Sequence, residues 1–355
     1  MSIQITFTFR LMQSSLFDGI LHHGGFGCAS EKPLAIVTVS LSPALDVTLA
    51  TDHLRIGAHQ PVKLLAQAAA GKAINVSRAL SAMDVPSTAT GFVGSGEAKF
   101  FSRQLMAHGP GRHVLIRNRL INLDQPTRQN ITILSAEGET HLRMEGFTLG
   151  EPELRRLAGE IKAITTPGDM VVIAGSVPTA ISSGDAEPWI YLLQQVLATG
   201  ADLVIDTSGP ALRASSRQPL LVAKPNLSEL AEVGGQQLSF DPPAIAAAAR
   251  TILPRTRHRV ISCGANGALW IGDKSACWAY HDGLIEVKRT VGCGDFLLAG
   301  FLAGLYTHLA PDAALCRGIT CATARAMNLA DPAECLSMAN LQKIAAQVKV
   351  QPVEQ

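Results

Sequence analysis

Residues Arg289 to His308 read RTVGCGDFLLAGFLAGLYTH. A tight turn, Gly292-Cys293-Gly294, leads into a carboxylate, Asp295, and then into apolar residues at 297, 298, 301, 302, 305 and 309, the period of a helix. The carboxylate therefore stands at a helix start. Glycines there let a ligand approach the backbone, and the unpaired first-turn N–H groups suit phosphate oxygens. Asp295 beside them is placed to take a proton from a hydroxyl that attacks phosphorus. The same residues also read as a glycine turn with an N-cap Asp.

The chain before this stretch alternates buried-type strands with amphipathic helices. A strand over 34–39 leaves through Ser42-Pro43 to a lone acid, Asp46, at the carboxyl end where ligands collect in α/β sheets. Asp46 reads equally as a turn residue. Residues 68–83, AAAGKAINVSRALSAM, set Gly71 as a turn before a helix over 74–83, with Lys72 and Asn75 at its entrance. Lys72 fits a ligand contact and a solvated helix start alike. Strand 87–93, helix 97–108 and strand 113–117 continue the rhythm, which predicts a parallel sheet covered by helices.

Two segments break it. Residues 47–66 are short and strand-like, and within 119–147 the runs TRQNITILS and ETHLRME alternate about Ala136-Glu137-Gly138, a hairpin signal. Together they predict a small second sheet. Arg128 lies on it, placed either to grip a phosphate with its planar fork or to face solvent.

The α/β pattern resumes with helix 151–164, strand 170–178, helix 186–198 and strands 202–206 and 220–223. Gly175-Ser176 closes the first of these strands. Lys224-Pro-Asn226-Leu-Ser-Glu229 follows the last, with Asn226 and Glu229 on one helical face. That pair suits hydrated Mg²⁺ through oxygen ligands, and it is equally a capping box. Helix 242–252 leads to strand 258–263 with Ser262, the glycine hairpin Gly264 to Gly267, and strand 268–272. Helices 312–329 and 339–348 close the chain, leaving 349–355 as a tail.

Composition excludes several classes. With 30 Lys+Arg against 29 Asp+Glu, the net charge of +1 offers no general field for nucleic acid or an anionic membrane. No apolar run reaches the ~18 residues of a membrane span. The seven cysteines are scattered without CxxC spacing, which suggests neither disulfides nor zinc and fits a reducing cytoplasm. Residues 1–33, with a different texture and no apolar h-region, read as an extension, partly disordered or an over-long start. No GxGxxG follows a strand and no GxxxxGK[ST] occurs, which sets aside dinucleotide and P-loop folds.

Taken together the motifs resemble the ribokinase-like (PfkB) carbohydrate kinases over about residues 34–348. TVGCGD is similar to the family's nucleotide and base signature and GKAINVSRAL to its sugar-binding glycine motif. SPALD, TRQN, AGSVP, KPNLSEL and SCGANGA resemble the phosphosugar branch, the 1-phosphofructokinases, tagatose-6-phosphate kinases and minor 6-phosphofructokinases. The resemblance implies a three-layer α/β/α sandwich with a mostly parallel central sheet and a small β-sheet lid. It implies Asp295 as base, with Gly292, Cys293 and Gly294 as anion hole, and Asp46, Gly71 and Asn75 on the sugar. Arg128, Ser176 and Lys72 would hold its phosphate. Lys224, Asn226 and Glu229 would serve the phosphates of ATP and Mg²⁺, and Ser262, Gly264 and Gly267 the nucleotide.

The implied reaction is ATP-dependent phosphorylation of a phosphorylated ketohexose. Fructose 1-phosphate stands ahead of fructose 6-phosphate and tagatose 6-phosphate, in a cytoplasmic homodimer joined through the lid. A monovalent cation requirement stays open. A neutral-sugar kinase of the same family, and a sugar-phosphate or nucleotide binding protein whose catalysis has decayed, are the alternatives. The second is motivated by Ala70, Ala73 and Phe296, which depart from the family's pattern, as do Cys293 and Arg289.

Overall fold

The first strand, Ile36–Ser40 (β1), is buried at all five positions, as a strand covered on both faces must be. The computed structural model describes residues 34–106, 115–184, 186–328 and 332–354, so the extension expected over 1–33 lies outside the described residues. The remaining strands in chain order are Ala44–Ala50 (β2), Lys63–Ala70 (β3), Ser87–Gly94 (β4), Ile116–Leu123 (β5), Gln129–Ser135 (β6) and Gly138–Arg143 (β7). Then follow Met170–Ala174 (β8), Asp202–Asp206 (β9), Leu220–Ala223 (β10), Thr256–Ser262 (β11), Ala268–Ile271 (β12), Ala276–His281 (β13) and Val348–Pro352 (β14).

The main sheet has ten strands in the order β14-β13-β12-β11-β10-β9-β8-β1-β4-β5. Every pair from β11 to β5 is parallel, and β12, β13 and β14 add an antiparallel edge. Alternate residues face opposite layers. Ile36, Val172, Val204, Val222 and Val260 pack against helices Lys72–Ala82, Cys293–Tyr306 and Pro311–Met327. Val37, Val171, Ile173, Leu203 and Ile205 pack against Glu151–Ile164, Glu187–Leu197 and Pro242–Ile252. The result is the expected three-layer sandwich.

The second sheet runs β3-β2-β6-β7. Cross-strand partners share a face, and the register joins Ala68, Asp46, Asn130 and Arg143 in one row. The next row, Gln67, Val47, Ile131 and Leu142, faces the other way. Leu64 and Leu142 leave 53% and 51% of their surface exposed, so apolar area remains open on this sheet.

Three sequence expectations are corrected, and one strand is added. Residues 348–352 are not a tail, because they pair with β13 and complete the sheet edge. The segment 116–123 belongs to the main sheet beside β4, so the small sheet resumes only at Gln129. Asp46 lies on lid strand β2 rather than at the end of β1. Strand β13 went unread because ACWAYH mixes small and aromatic residues over only six positions.

The helix Cys293–Tyr306 is buried from Asp295 through Gly304, so its apolar residues surround the axis rather than forming one stripe. Glycine makes this close packing possible. A Cβ on Gly300 would come within 2.8 Å of Arg317 O and Gly318 Cα, so the neighbouring helix Pro311–Met327 presses on bare backbone.

Candidate active site

Parallel topology brings the carboxyl ends of β8, β9, β10 and β11 to one edge of the sheet, where Gly175-Ser176, Asp206, Lys224 and Ser262 emerge. The start of helix Cys293–Tyr306 reaches this edge. Gly292 precedes the helix with φ +86°, a left-handed conformation that favours glycine. The N–H groups of Cys293 and Gly294 open the helix and have no acceptor within it.

Asp295, 5% exposed, accepts a 2.7 Å hydrogen bond at Oδ2 from Asn75 Nδ2. Asn75 belongs to the first turn of helix Lys72–Ala82, which Gly71 introduces at φ +130°. Burial is the main force on the Asp295 carboxyl and the negative charge of Asp206 adds to it. Together they outweigh Asn75, Lys224 and Lys72 and push its pKa up to about 6. At neutral pH it is a carboxylate that gains a proton readily.

Asp206 is fully buried at the end of β9 and sits between two ammonium groups. Lys72 Nζ donates to its Oδ1 at 2.9 Å, and Lys224 Nζ pairs with its Oδ2 at 3.2 Å. Burial works against the Lys72 charge, but the Asp206 carboxylate prevails and raises its pKa. Lys224 also lies under the helix start, since a Cβ on Gly294 would stand 3.3 Å from its Nζ. Sequence reading passed over Asp206, though its signal, an acid closing a buried strand, is the one that singled out Asp46.

The small sheet supplies a second group. Asp46 accepts a 2.8 Å hydrogen bond from Asn130 Nδ2, and burial raises its pKa against the pull of Asn130, Arg128, Arg78 and Arg143. Arg128 is half-buried beside it and donates to Pro43 O at 3.3 Å and Ser42 O at 3.2 Å. A Cβ on Gly71 would meet Pro43 Cα at 3.2 Å, which links this group to Asn75 and Asp295 through one turn. Ser176 is exposed, next to Gly175, where a Cβ would lie 3.8 Å from Lys72 Cβ.

Asn226 and Glu229 form a reciprocal capping box. Glu229 N donates to Asn226 Oδ1 and Asn226 N to Glu229 Oε2, both at 2.8 Å. Each still has a second polar atom, and Glu229 acts electrostatically on Lys72. Asn226 bridges to Ser262 as an isolated extension of the β10–β11 pairing. The turn Gly264–Asn266 is a single 3₁₀ turn, and Gly267 has φ +82° with a would-be Cβ 2.1 Å from Ala279 O, so no side chain fits there. Ser262, Gly264 and Gly267 thus share the sheet edge but make no side-chain bond to Asp295.

Cys293 donates from Sγ to Arg289 O at 3.6 Å, and burial pushes its thiol up in pKa, so it is a packing residue rather than a thiolate nucleophile. Phe296 is buried, with its ring under the Arg325 guanidinium. A proton acceptor, two ammonium groups and open amide N–H groups at one place suit transfer of an anionic group to a hydroxyl.

Comparison with known proteins gives a consistent answer. Residues 37–328 match the model of the pfkB family carbohydrate kinases. The chain is 32% identical over 291 residues to the 1-phosphofructokinase of Haloferax volcanii, covering 81% of this chain and 90% of that protein. It is 28% identical over 271 residues to that of Haemophilus influenzae, covering 76% and 84%. In fold it is similar to Escherichia coli phosphofructokinase-2 in complex with fructose-6-phosphate, with TM-score 0.75, 22% identity, and 88% and 98% of the two chains covered.

Proposed function

Because the chain belongs to the pfkB family of carbohydrate kinases, and is with that family an ATP-dependent sugar kinase, we propose that its acceptor is a phosphorylated ketohexose. Fructose 1-phosphate is the substrate and fructose 1,6-bisphosphate the product. The observation that carries this reading is Arg128, half-buried beside Asp46 and Asn130, which offers a cation to a sugar that already bears a phosphate. A neutral sugar needs no such group. The names of the two curated relatives support the same choice.

In this reading Asp46 and Asn75 orient the sugar and Asp295 faces its free hydroxyl. The hydroxyl oxygen attacks the γ-phosphorus of ATP as its proton passes to Asp295. The bond from γ-phosphorus to the bridging oxygen breaks, and ADP leaves with that electron pair. The Cys293 and Gly294 amides, with Lys72 and Lys224, receive the negative charge spread over the transferring group. No group of three or more His, Cys, Asp or Glu among the described residues forms a metal cage. The oxygen donors of Asn226 and Glu229 instead fit a hydrated Mg²⁺ held largely through water and phosphate. Bound with the nucleotide, Mg²⁺ supplies charge neutralisation at the phosphates.

The apolar face of the small sheet, with Leu64 and Leu142 open, supports dimerisation through the lid. Leu142→Lys is expected to shift the particle to the monomer mass in light scattering. The scattered cysteines support a reducing, cytoplasmic setting.

The deciding experiment measures ADP release with a panel of free sugars and sugar phosphates. A kcat/KM on fructose 1-phosphate well above that on fructose 6-phosphate, tagatose 6-phosphate and free fructose is expected. Equal rates on free fructose and its phosphate would remove the acceptor assignment.

A further inference from the structure

Phe296 and Arg289 departed from the family's pattern in the sequence, and the structure connects both to Arg325. Arg325 sits in the last turn of helix Pro311–Met327, where a basic residue also complements the helix C-terminus. Its position is more specific than that. The guanidinium carbon lies 5.0 Å from the centroid of the Phe296 ring, so a buried aromatic platform holds it. A Cβ built on Gly292 would stand 3.7 Å from Arg325 Nε, 3.9 Å from Asp295 Oδ2 and 4.0 Å from Asn75 Nδ2.

The guanidinium, the carboxylate and its hydrogen-bond donor therefore surround one glycine, with Nε and Oδ2 within about 8 Å of each other. Arg289 is anchored at the same end, because the N–H groups of Lys288 and Arg289 both donate to Ala326 O, at 2.8 and 3.1 Å.

We propose that Arg325, held by the Phe296 ring, is a positioning residue for phosphoryl transfer, a fixed positive charge behind the Gly292 turn that keeps Asp295 ionised and offsets the charge of the transferring group. Phe296 is then the support of that charge rather than a sign of decayed catalysis. The inference rests on Asp295 as the base. On the sheet side of Asp295, burial and Asp206 raise its pKa while Asn75, Lys224 and Lys72 lower it. Burial and the neighbouring Arg289 charge lower the pKa of Arg325, while Cys335, Cys293 and Asp295 favour its charged form. A unit charge at roughly 8 Å in a medium of effective dielectric ~20 is worth about thirtyfold.

The test measures pH profiles of kcat/KM, and kcat and KM separately, for full-length Arg325→Met, Arg325→Lys and Phe296→Leu, with Asp295→Asn alongside and thermal melting of each. Arg325→Met is expected to lower kcat by up to about thirtyfold, to leave KM for the sugar phosphate unchanged and to move the acid limb to higher pH. Arg325→Lys should recover most of the rate. Phe296→Leu, which keeps an apolar side chain without the π face, should fall between.

A lower melting temperature for Arg325→Met with an unmoved acid limb and wild-type kcat would overturn the proposal and leave a helix-terminal contact. An inactive Asp295→Asn beside an unaffected Arg325→Met sinks only this inference. A fully active Asp295→Asn sinks the base assignment beneath it.

Discussion

Replacing Asp295 with Asn should make the protein less active and more stable at once. Asn preserves the size of the side chain and an oxygen that can accept from Asn75 Nδ2, which lies 2.7 Å from the present carboxylate. What it removes is the charge. The Asp295 pKa rises from 3.8 to about 6 in the fold, first through burial and then through Asp206. An acid whose folded pKa lies above its unfolded value favours folding when protonated, and loses that stability as pH climbs from about 4 through 6.

Above that window the ionised carboxylate costs about 3 kcal/mol, at ~1.4 kcal/mol per pKa unit. Asp295→Asn should therefore raise the unfolding free energy by up to ~3 kcal/mol at pH 8 and by little at pH 4. Urea unfolding of both proteins at the two pH values measures this directly. In the same samples kcat should fall by ~10² to 10⁴, the contribution of a positioned base. A variant less stable than wild type at pH 8 would refute the reasoning, because it would mean that Lys72, Lys224 and Asn75 more than offset the burial of the charge.

Arg128→Ala should raise KM for the sugar phosphate by about 10- to 100-fold, a loss of a charge-assisted contact of ~1.5 to 3 kcal/mol, while turnover of a free sugar stays level in the same coupled assay. Gly300→Ala should lower stability by ~1 to 3 kcal/mol in urea unfolding, since the added methyl meets Arg317 O and Gly318 Cα at 2.8 Å. His258 is held neutral, its pKa lowered to about 4 mainly by burial and further by Arg257 and Arg259, and it accepts from Trp270 Nε1 at 3.0 Å. Its contribution is complete above pH 6.5 and drains away as pH falls toward 4, so His258→Gln should flatten that acid-side decline in a pH series of melting curves.

How much of this was legible in the chain follows from the range of each interaction. Strand and helix alternation is local, and β8 was readable as the unbroken apolar run MVVIA because a strand covered on both faces needs no polar side. Gly292 and Asp295 announced themselves through backbone chemistry that needs no partner. Asn226 and Glu229 were read in two ways, and their reciprocal bonds show the capping box while leaving polar atoms for a ligand.

Three features take their role only from the fold. Asp206 matters through Lys72 and Lys224, neither its neighbour in sequence. Arg325 joins Phe296 across two helices. The edge strand β14 exists only because β13 lies beside it.

The sequence by itself determined the layered α/β architecture, the helix that begins at the glycine turn and the family. Those follow from periodicity, turn chemistry and local motifs, each complete within a few residues. Only the tertiary structure decided which charges surround Asp295, how far its proton affinity rises and which arginine stands behind it. Electrostatic energy depends on distance through space and on exclusion of water, and both arise when strands and helices far apart in the chain close over the same carboxylate.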